Sequence, residues 1–148
     1  LIEPKIDIKW VGKGWGGEKW IVNNDLYCGK WLLVLKDKMC SVHFHEIKDE
    51  TFYCHSGSVV IEIIHNNDPN WLALYQPGKD PSKYLKSWNK WYAESKSHII
   101  HELRLVKGST LHVPPLTVHR FRGLTDAELF EFSTHHDDKD SIRIMKGD

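Results

Sequence analysis

Charge of one sign is the first thing missing from this sequence. Its 20 Lys and Arg residues are matched by 20 Asp and Glu, which leaves no electrostatic footprint for nucleic acid or an anionic membrane surface. A small neutral or locally steered ligand fits this balance better. No stretch approaches the roughly 18 apolar residues of a membrane span. The N-terminal LIEPKIDIKW lacks the apolar core of a signal peptide; because no Met opens the chain, a removed leader stays open. Cysteine is scarce as well. Cys28, Cys40 and Cys54 are odd in number and none stands in CxxC spacing, which argues against a disulfide framework or a cysteine zinc knot and for a reduced, cytoplasmic setting. Cys40 and Cys54 lie in strand-like runs and read as small buried hydrophobes. A glycine-rich nucleotide-binding loop is also absent.

What is present reads as short strands. The 148 residues fit one domain, 1–148, large enough to bury a core without staples. Strand-like runs fall at 18–23, 28–36, 39–46, 51–56, 58–65, 97–106, 109–114, 117–121 and 127–134. Gly57, Lys107-Gly108 and Gly123 punctuate them. Many short strands at this spacing predict an all-β sandwich or barrel. One stretch, 66–96, breaks the pattern and reads as an insertion. Within it Asp80 suits an N-cap and Pro81 a first helical position. Tyr84, Leu85, Trp88, Trp91 and Tyr92 then follow at helical spacing, so a helix is expected over about 81–94. Its aromatic stripe is expected to pack against the sheet, with a lid or a subunit contact as the alternatives.

The segment His43-Phe44-His45-Glu46-Ile47-Lys48-Asp49-Glu50 carries the chemistry. A strand alternates its side chains with period two, so His43 and His45 share a face. Glu50 returns after a short turn, and His119 follows in VPPLTVHRF. Three imidazoles and a carboxylate suit Mn, Fe, Zn, Ni or Cu better than Mg or Ca. With 10 histidines in the chain, a chance HxH pair on the surface or in the core is the competing reading. The remaining histidines, His55, His65, His98, His101, His112 and the His135-His136 pair, read as surface, strand-edge or turn residues.

These spacings resemble the cupin superfamily, whose motifs run G(X)5HXH(X)3-4E(X)6G and G(X)5PXG(X)2H(X)3N. His43, His45, Glu50 and Gly57 fit the first, with Asp37 in place of its opening glycine. Gly108, Pro114 and His119 fit the second, with Leu116 in place of its internal glycine and Gly123 in place of its Asn. GWGGEKW at 14–20, DETFYCHSG at 49–57, VPPLTVHRFRG at 113–123 and LFEFSTHHDDKDSIRI at 129–144 are similar to segments of the cupin module of type II mannose-6-phosphate isomerases. YCGKWLLVLKDKMCSVHFHEIKDETFY also resembles D-lyxose isomerase-like cupins.

The resemblance implies a jelly-roll barrel with a short inserted helix, one divalent transition metal (Mn, Fe, Zn or Ni) inside one end, and subunits that pair as homodimers. It implies a small-molecule substrate, a sugar or sugar phosphate, and aldose-ketose isomerisation through a cis-enediol. An iron-dependent dioxygenase and a non-catalytic carbohydrate-binding cupin are the competing functions. Glu131 matches the glutamate of the family's IEVQ segment and is the candidate base. Lys38, just upstream of the ligand strand, is a candidate for steadying an enediolate or phosphate oxygen. Arg143 matches the arginine of the C-terminal motif and is expected to bind substrate or, slightly favoured, to pair with Asp137, Asp138 or Asp140. Trp15 is a candidate for stacking on a sugar face or for plugging the barrel end.

Overall fold

The computed structural model describes residue 2, residues 8–95 and residues 100–148. Its strands are β1 (Lys9–Lys13), β2 (Gly16–Asn23), β3 (Cys28–Val34), β4 (Val42–Phe44), β5 (Glu50–Ser56), β6 (Ser58–Ile64), β7 (His101–Val106), β8 (Thr110–Val113), β9 (Val118–Gly123), β10 (Ala127–Ser133) and β11 (Ile142–Met145). They form two antiparallel sheets, ordered β1-β2-β3-β10-β5-β8 and β11-β4-β9-β6-β7. From β3 onward the chain changes sheet at every step except β6 to β7, which gives the expected jelly roll.

Strict alternation writes the barrel interior. Along β3 the buried set is Cys28, Lys30, Leu32 and Val34; along β10 it is Ala127, Leu129 and Glu131; along β5 it is Glu50, Phe52 and Cys54. Register places Lys30 opposite Glu131 and Glu131 opposite Phe52, while Leu32, Leu129 and Cys54 form the next inward row. The interior is thus apolar at one end, where Val34, Val59, Ile61 and Leu129 are fully buried. At the other end it is polar and ionised.

The second sheet is buried on both faces at β4 and β9, and the insertion explains why. Helix α1 (Pro69–Leu74) starts at Asp68, whose carboxylate accepts from the N–H groups of Asn70 and Trp71. This is an N-cap followed by proline at the first helical position. A 3-10 turn, Pro81–Lys83, is capped in the same way by Asp80, and α2 (Leu85–Ser95) follows after Tyr84. Trp71, Tyr75, Trp88 and Tyr92 pack with Val42, Phe44, Ile64, Val118 and Ile144 on the outer face of the sheet. The Phe44 ring meets Trp71 at 5.1 Å and Trp88 at 5.7 Å, both edge to face, the arrangement aromatic quadrupoles favour. Burial of each such side chain contributes roughly 1.5–3 kcal/mol.

The structure differs from the sequence expectation in several elements. The helix expected over 81–94 is a 3-10 turn and a separate α-helix, because Tyr84 at φ −111° interrupts the ladder. Helix α1 lies where turn residues alone were read; its six positions are too few to show a period. Strands β1 and β11 were not anticipated, and each is defined by its partner, β2 and β4 respectively. The run at 39–46 supplies only the three residues of β4. The strand expected at 97–106 is observed from His101; 97–99, with His98, lie outside the described residues.

Two departures from the cupin motif keep its geometry. Asp37 and Leu116 stand where glycine is expected, and both adopt left-handed backbone, φ 61° and 66°, a conformation that costs most residues about 1–2 kcal/mol. At Gly57, φ is 70° and an added Cβ would meet the Asp126 carbonyl oxygen at 2.2 Å, so there glycine is required.

Candidate metal centre

His43 points into the barrel from β4 while its neighbours Val42 and Phe44 face the helices. His119 lies directly opposite His43 on β9, and His45 follows one pleat beyond β4's end. The ligand atoms of His43, His45 and His119 fall within 4.8 Å of one another. Glu50, at the start of β5, brings Oε1 to 3.5 Å from His45 Nε2 and Oε2 to 3.3 Å from His119 Nε2. The four side chains listed by spacing therefore converge.

Each imidazole is held by its other nitrogen. Nδ1 of His43 bonds the Ser41 carbonyl at 2.9 Å, that of His45 the Asp140 carbonyl at 3.0 Å, and that of His119 the Thr117 carbonyl at 2.9 Å. A carbonyl can only accept, so in all three the proton sits on Nδ1 and the Nε2 lone pair is free. This is the outer-shell arrangement of metal-binding histidines. Burial keeps His43 and His45 neutral: it pushes His43 well below the ordinary imidazole range, helped by His119 and His45, and it brings His45 down to about 4.

The donor set fits a cation. Glu50 Oε2 and His119 Nε2 are both buried without a hydrogen-bond partner, two lone pairs facing each other across 3.3 Å. Unpaired buried acceptors of this kind are costly, and an ion between them removes the cost. Three imidazole nitrogens with one carboxylate oxygen match a borderline transition metal.

Beside this cluster lies a second group of buried charges. Lys48 reaches Glu50 Oε1 at 2.6 Å and Glu131 Oε1 at 3.1 Å, and both flanking carboxylates are under a tenth exposed. Burial works against the Lys48 charge, but Glu131 and Glu50 outweigh it and raise its pKa. Burial likewise pushes Glu50 up, yet the Lys48 ammonium holds it well below the carboxylate range. Glu131 goes the other way: burial, reinforced by Glu50 and opposed by Lys48 and Lys30, pushes it up to about 7. Its Oε2 is buried with no hydrogen-bond partner. Lys30, itself buried, stands 3.6 Å from both Glu131 and Glu18, 3.1 Å from His136 Nδ1, and 4.2 Å above the Trp20 ring.

Glu131, Trp15 and Arg143 all line the cavity over the histidines. Trp15 is buried edge-on to Phe121 at 5.0 Å. Arg143, across from His43 in the β4–β11 register, is exposed toward solvent. The favoured pairing of Arg143 with Asp137, Asp138 or Asp140 is corrected: among the described residues no such pair forms, because Asp137 caps a turn, Asp138 binds His136, and Asp140 binds backbone N–H groups. Lys38 is also corrected in place. It is exposed and outside the cavity lining, since the left-handed turn at Asp37 ties its backbone to Leu35 and Gly123.

Lys30, Lys48 and His136 are among the cavity residues that escaped the sequence reading. Lys30 had a signal, a cation in phase with the apolar positions Cys28, Leu32 and Val34. Lys48 had a weaker one, two positions before Glu50 inside the ligand segment. His136, read as a turn residue, had none; its contact with Lys30 spans 106 positions.

A jelly roll with histidines gathered inside one barrel end is the cupin architecture. It is similar to KdgF of a Halomonas species (TM-score 0.60, 13% identity, 92% of this chain and 94% of that one) and to an oxalate decarboxylase of Bacillus subtilis (TM-score 0.64, 10% identity, 93% and 30%), likenesses that show the fold alone. Within the cupins, the D-lyxose isomerase family model matches residues 16–146, and the chain belongs to that family. Curated relatives include a D-lyxose/D-mannose isomerase of Thermosediminibacter oceani, 30% identical, and a D-lyxose ketol-isomerase of a Thermofilum species, 32% identical. Each match covers 82% of this chain and 63% of the relative, so the chain spans under two thirds of their length.

Proposed function

We propose that this chain is a metal-dependent aldose-ketose isomerase acting on a free sugar of the D-lyxose or D-mannose type, two aldoses with the same configuration at C2. The observation that carries the reading is the Glu131 carboxylate, buried beside the three-histidine cluster with one oxygen tied to Lys48 and the other without a hydrogen bond, 3.6 Å from the Lys30 ammonium. His43, His45, His119 and Glu50 would hold the ion. When bound, a divalent transition metal supplies a Lewis acid for the sugar carbonyl.

The chain's own groups do the proton transfer. Glu131 Oε2 takes the proton from C2 and returns it to C1 of the resulting cis-enediolate while the O2 hydroxyl proton passes to O1, so both transfers at carbon run on one face of the sugar. A carboxyl held near neutral pH suits a base that must also release its proton. Lys48, bonded to Oε1, keeps that carboxylate aimed and offsets its charge. Trp15 and Phe121 close the apolar side of the cavity and limit water. Arg143 at the rim is placed to meet sugar hydroxyls. The free buried cysteines Cys28, Cys40 and Cys54 suit a reducing cytoplasm, and no helix among the described residues is long and apolar enough to cross a membrane.

The test is an anaerobic incubation of Mn(II)-loaded protein with D-lyxose and D-mannose in deuterated water. Deuterium at C2 of recovered aldose, together with the matching ketose, is the expected result. Glu131→Gln should retain one metal per chain and lose exchange. Absence of exchange in the metal-replete wild type, or undiminished exchange in Glu131→Gln, would refute the reading.

A further inference from the structure

Three successive backbone N–H groups converge on one carboxylate. Asp140 Oδ1 accepts from Glu46 N at 2.8 Å, both of its oxygens accept from Ile47 N at 3.2 and 3.3 Å, and Oδ2 accepts from Lys48 N at 2.9 Å. A run of consecutive N–H donors is an anion-binding nest, and hydrogen bonds to an ionised acceptor are the stronger kind. The main-chain oxygen of the same residue accepts from His45 Nδ1. One residue thus grips the loop between His45 and Glu50 with its side chain, and fixes the His45 tautomer with its backbone.

The rest of the loop's anchoring leaves the tip unheld. Leu116 N donates to the His45 carbonyl at 2.7 Å, Tyr75 Oη to Glu46 Oε1 at 2.8 Å, and Asp49 pairs with Thr134. None of these bonds fixes the backbone N–H groups of residues 46–48. Asp140 is therefore what sets the direction from which Lys48 leaves the backbone to reach Glu50 and Glu131. It closes the 3-10 turn Asp138–Asp140, just before β11 pairs with β4.

We propose that Asp140 is the positioning residue of the metal centre, an assignment that rests on the metal reading above. Seated in the nest, its carboxylate holds the 46–48 loop so that His45 Nε2 and the Lys48 ammonium keep their aim. The residue touches no reacting atom itself. Asn in its place presents a single acceptor and turns an NH2 group toward N–H donors, and Ala presents nothing.

The comparison that tests this is Asp140→Ala against Asp137→Ala. Asp137 caps the same turn, accepting from Lys139 N at 2.9 Å, and touches no ligand. Two readouts apply: Mn(II) affinity by titration calorimetry, and the imidazole 15N and Nδ1–H signals of His45 in metal-free protein. Asp140→Ala should weaken Mn(II) binding about 10- to 100-fold and shift the His45 Nδ1–H signal, since the accepting carbonyl stays but the loop that carries His45 is released, while the His43 and His119 signals keep their positions. Asp137→Ala should change neither. If Asp140→Ala does not fold, the isosteric Asp140→Asn carries the same comparison with a smaller loss. Wild-type Mn(II) affinity in the Asp140 variant, an equal loss in Asp137→Ala, or an unmoved His45 signal overturns the assignment. Neither readout uses a sugar, so absent turnover would sink the isomerase reading and leave this comparison intact. The imidazole signals decide the positioning role even if the wild type takes up no ion.

Discussion

Replacing Lys48 with Met removes the single cation between two buried carboxylates while keeping most of the side chain's volume. In the native protein its ammonium sits 2.6 Å from Glu50 and 3.1 Å from Glu131, separations worth about 6 and 5 kcal/mol of attraction at an effective dielectric of about 20. Desolvation of buried ions costs several kcal/mol each and offsets part of this, and breaking a buried pair from one side leaves a net loss of about 3–5 kcal/mol. The loss should depend on pH. Glu131, already raised to about 7 by burial, is ionised at pH 8 and in the variant faces Glu50 with only Lys30, 3.6 Å away, to offset it. Its folded-state pKa then rises further, so the variant's native state holds a proton that the unfolded chain releases above about pH 4.3. Stability of the variant therefore falls as pH climbs from about 5 to 8, and the gap from wild type widens. Urea unfolding of metal-free protein at pH 5.5 and pH 8, read as midpoints at constant slope, measures it. A gap that is the same at both pH values, or below about 1 kcal/mol at pH 8, would refute the coupled-carboxylate account.

Three further outcomes are expected. Phe44→Ala should destabilise the protein by about 3–5 kcal/mol, since its fully buried ring meets Trp71, Tyr75 and Trp88; a chemical melt within 1 kcal/mol of wild type would exclude the packing role given to the insertion. Metal-free Glu131→Gln should gain stability as pH rises from 4 to 6.5, because His45, held down to about 4 by burial, binds fewer protons folded than unfolded there. The expected gain from His45 is about 3 kcal/mol, and His43, pushed well below the imidazole range by burial, adds to it; wild type should show a flatter curve, since its raised Glu131 pulls the opposite way, and equal slopes would contradict this. Asp37→Gly should raise stability by about 1 kcal/mol by relieving a left-handed φ of 61°, seen as a higher thermal midpoint; a fall would show that the Asp37 side chain is needed in the turn.

The convergence of these four side chains was legible because a strand's period is local: His43 and His45 share a face whatever surrounds them, and Glu50 and His119 stand at motif spacing. Most strands were legible for the same reason, since alternation in β3, β5 and β10 is written in adjacent residues. The charge network was not. Whether Lys30 and Lys48 are solvated or buried depends on Glu131, which reaches them only through the β3–β10–β5 register. Lys38 looked as eligible as Lys48 in one dimension, and a single left-handed residue at Asp37 sends it outward. The pairing expected for Arg143 failed because its three acidic neighbours already serve other donors, a competition that no spacing reveals.

Phe44 separates His43 from His45 in sequence and sits within 6 Å of two tryptophan rings in space. The protein thereby carries a candidate optical gauge. A shift of β4 on binding at the proposed metal centre would reach Trp71 and Trp88 through that ring. Tryptophan emission during a metal titration would then read the proposed site with no dye and no sugar present.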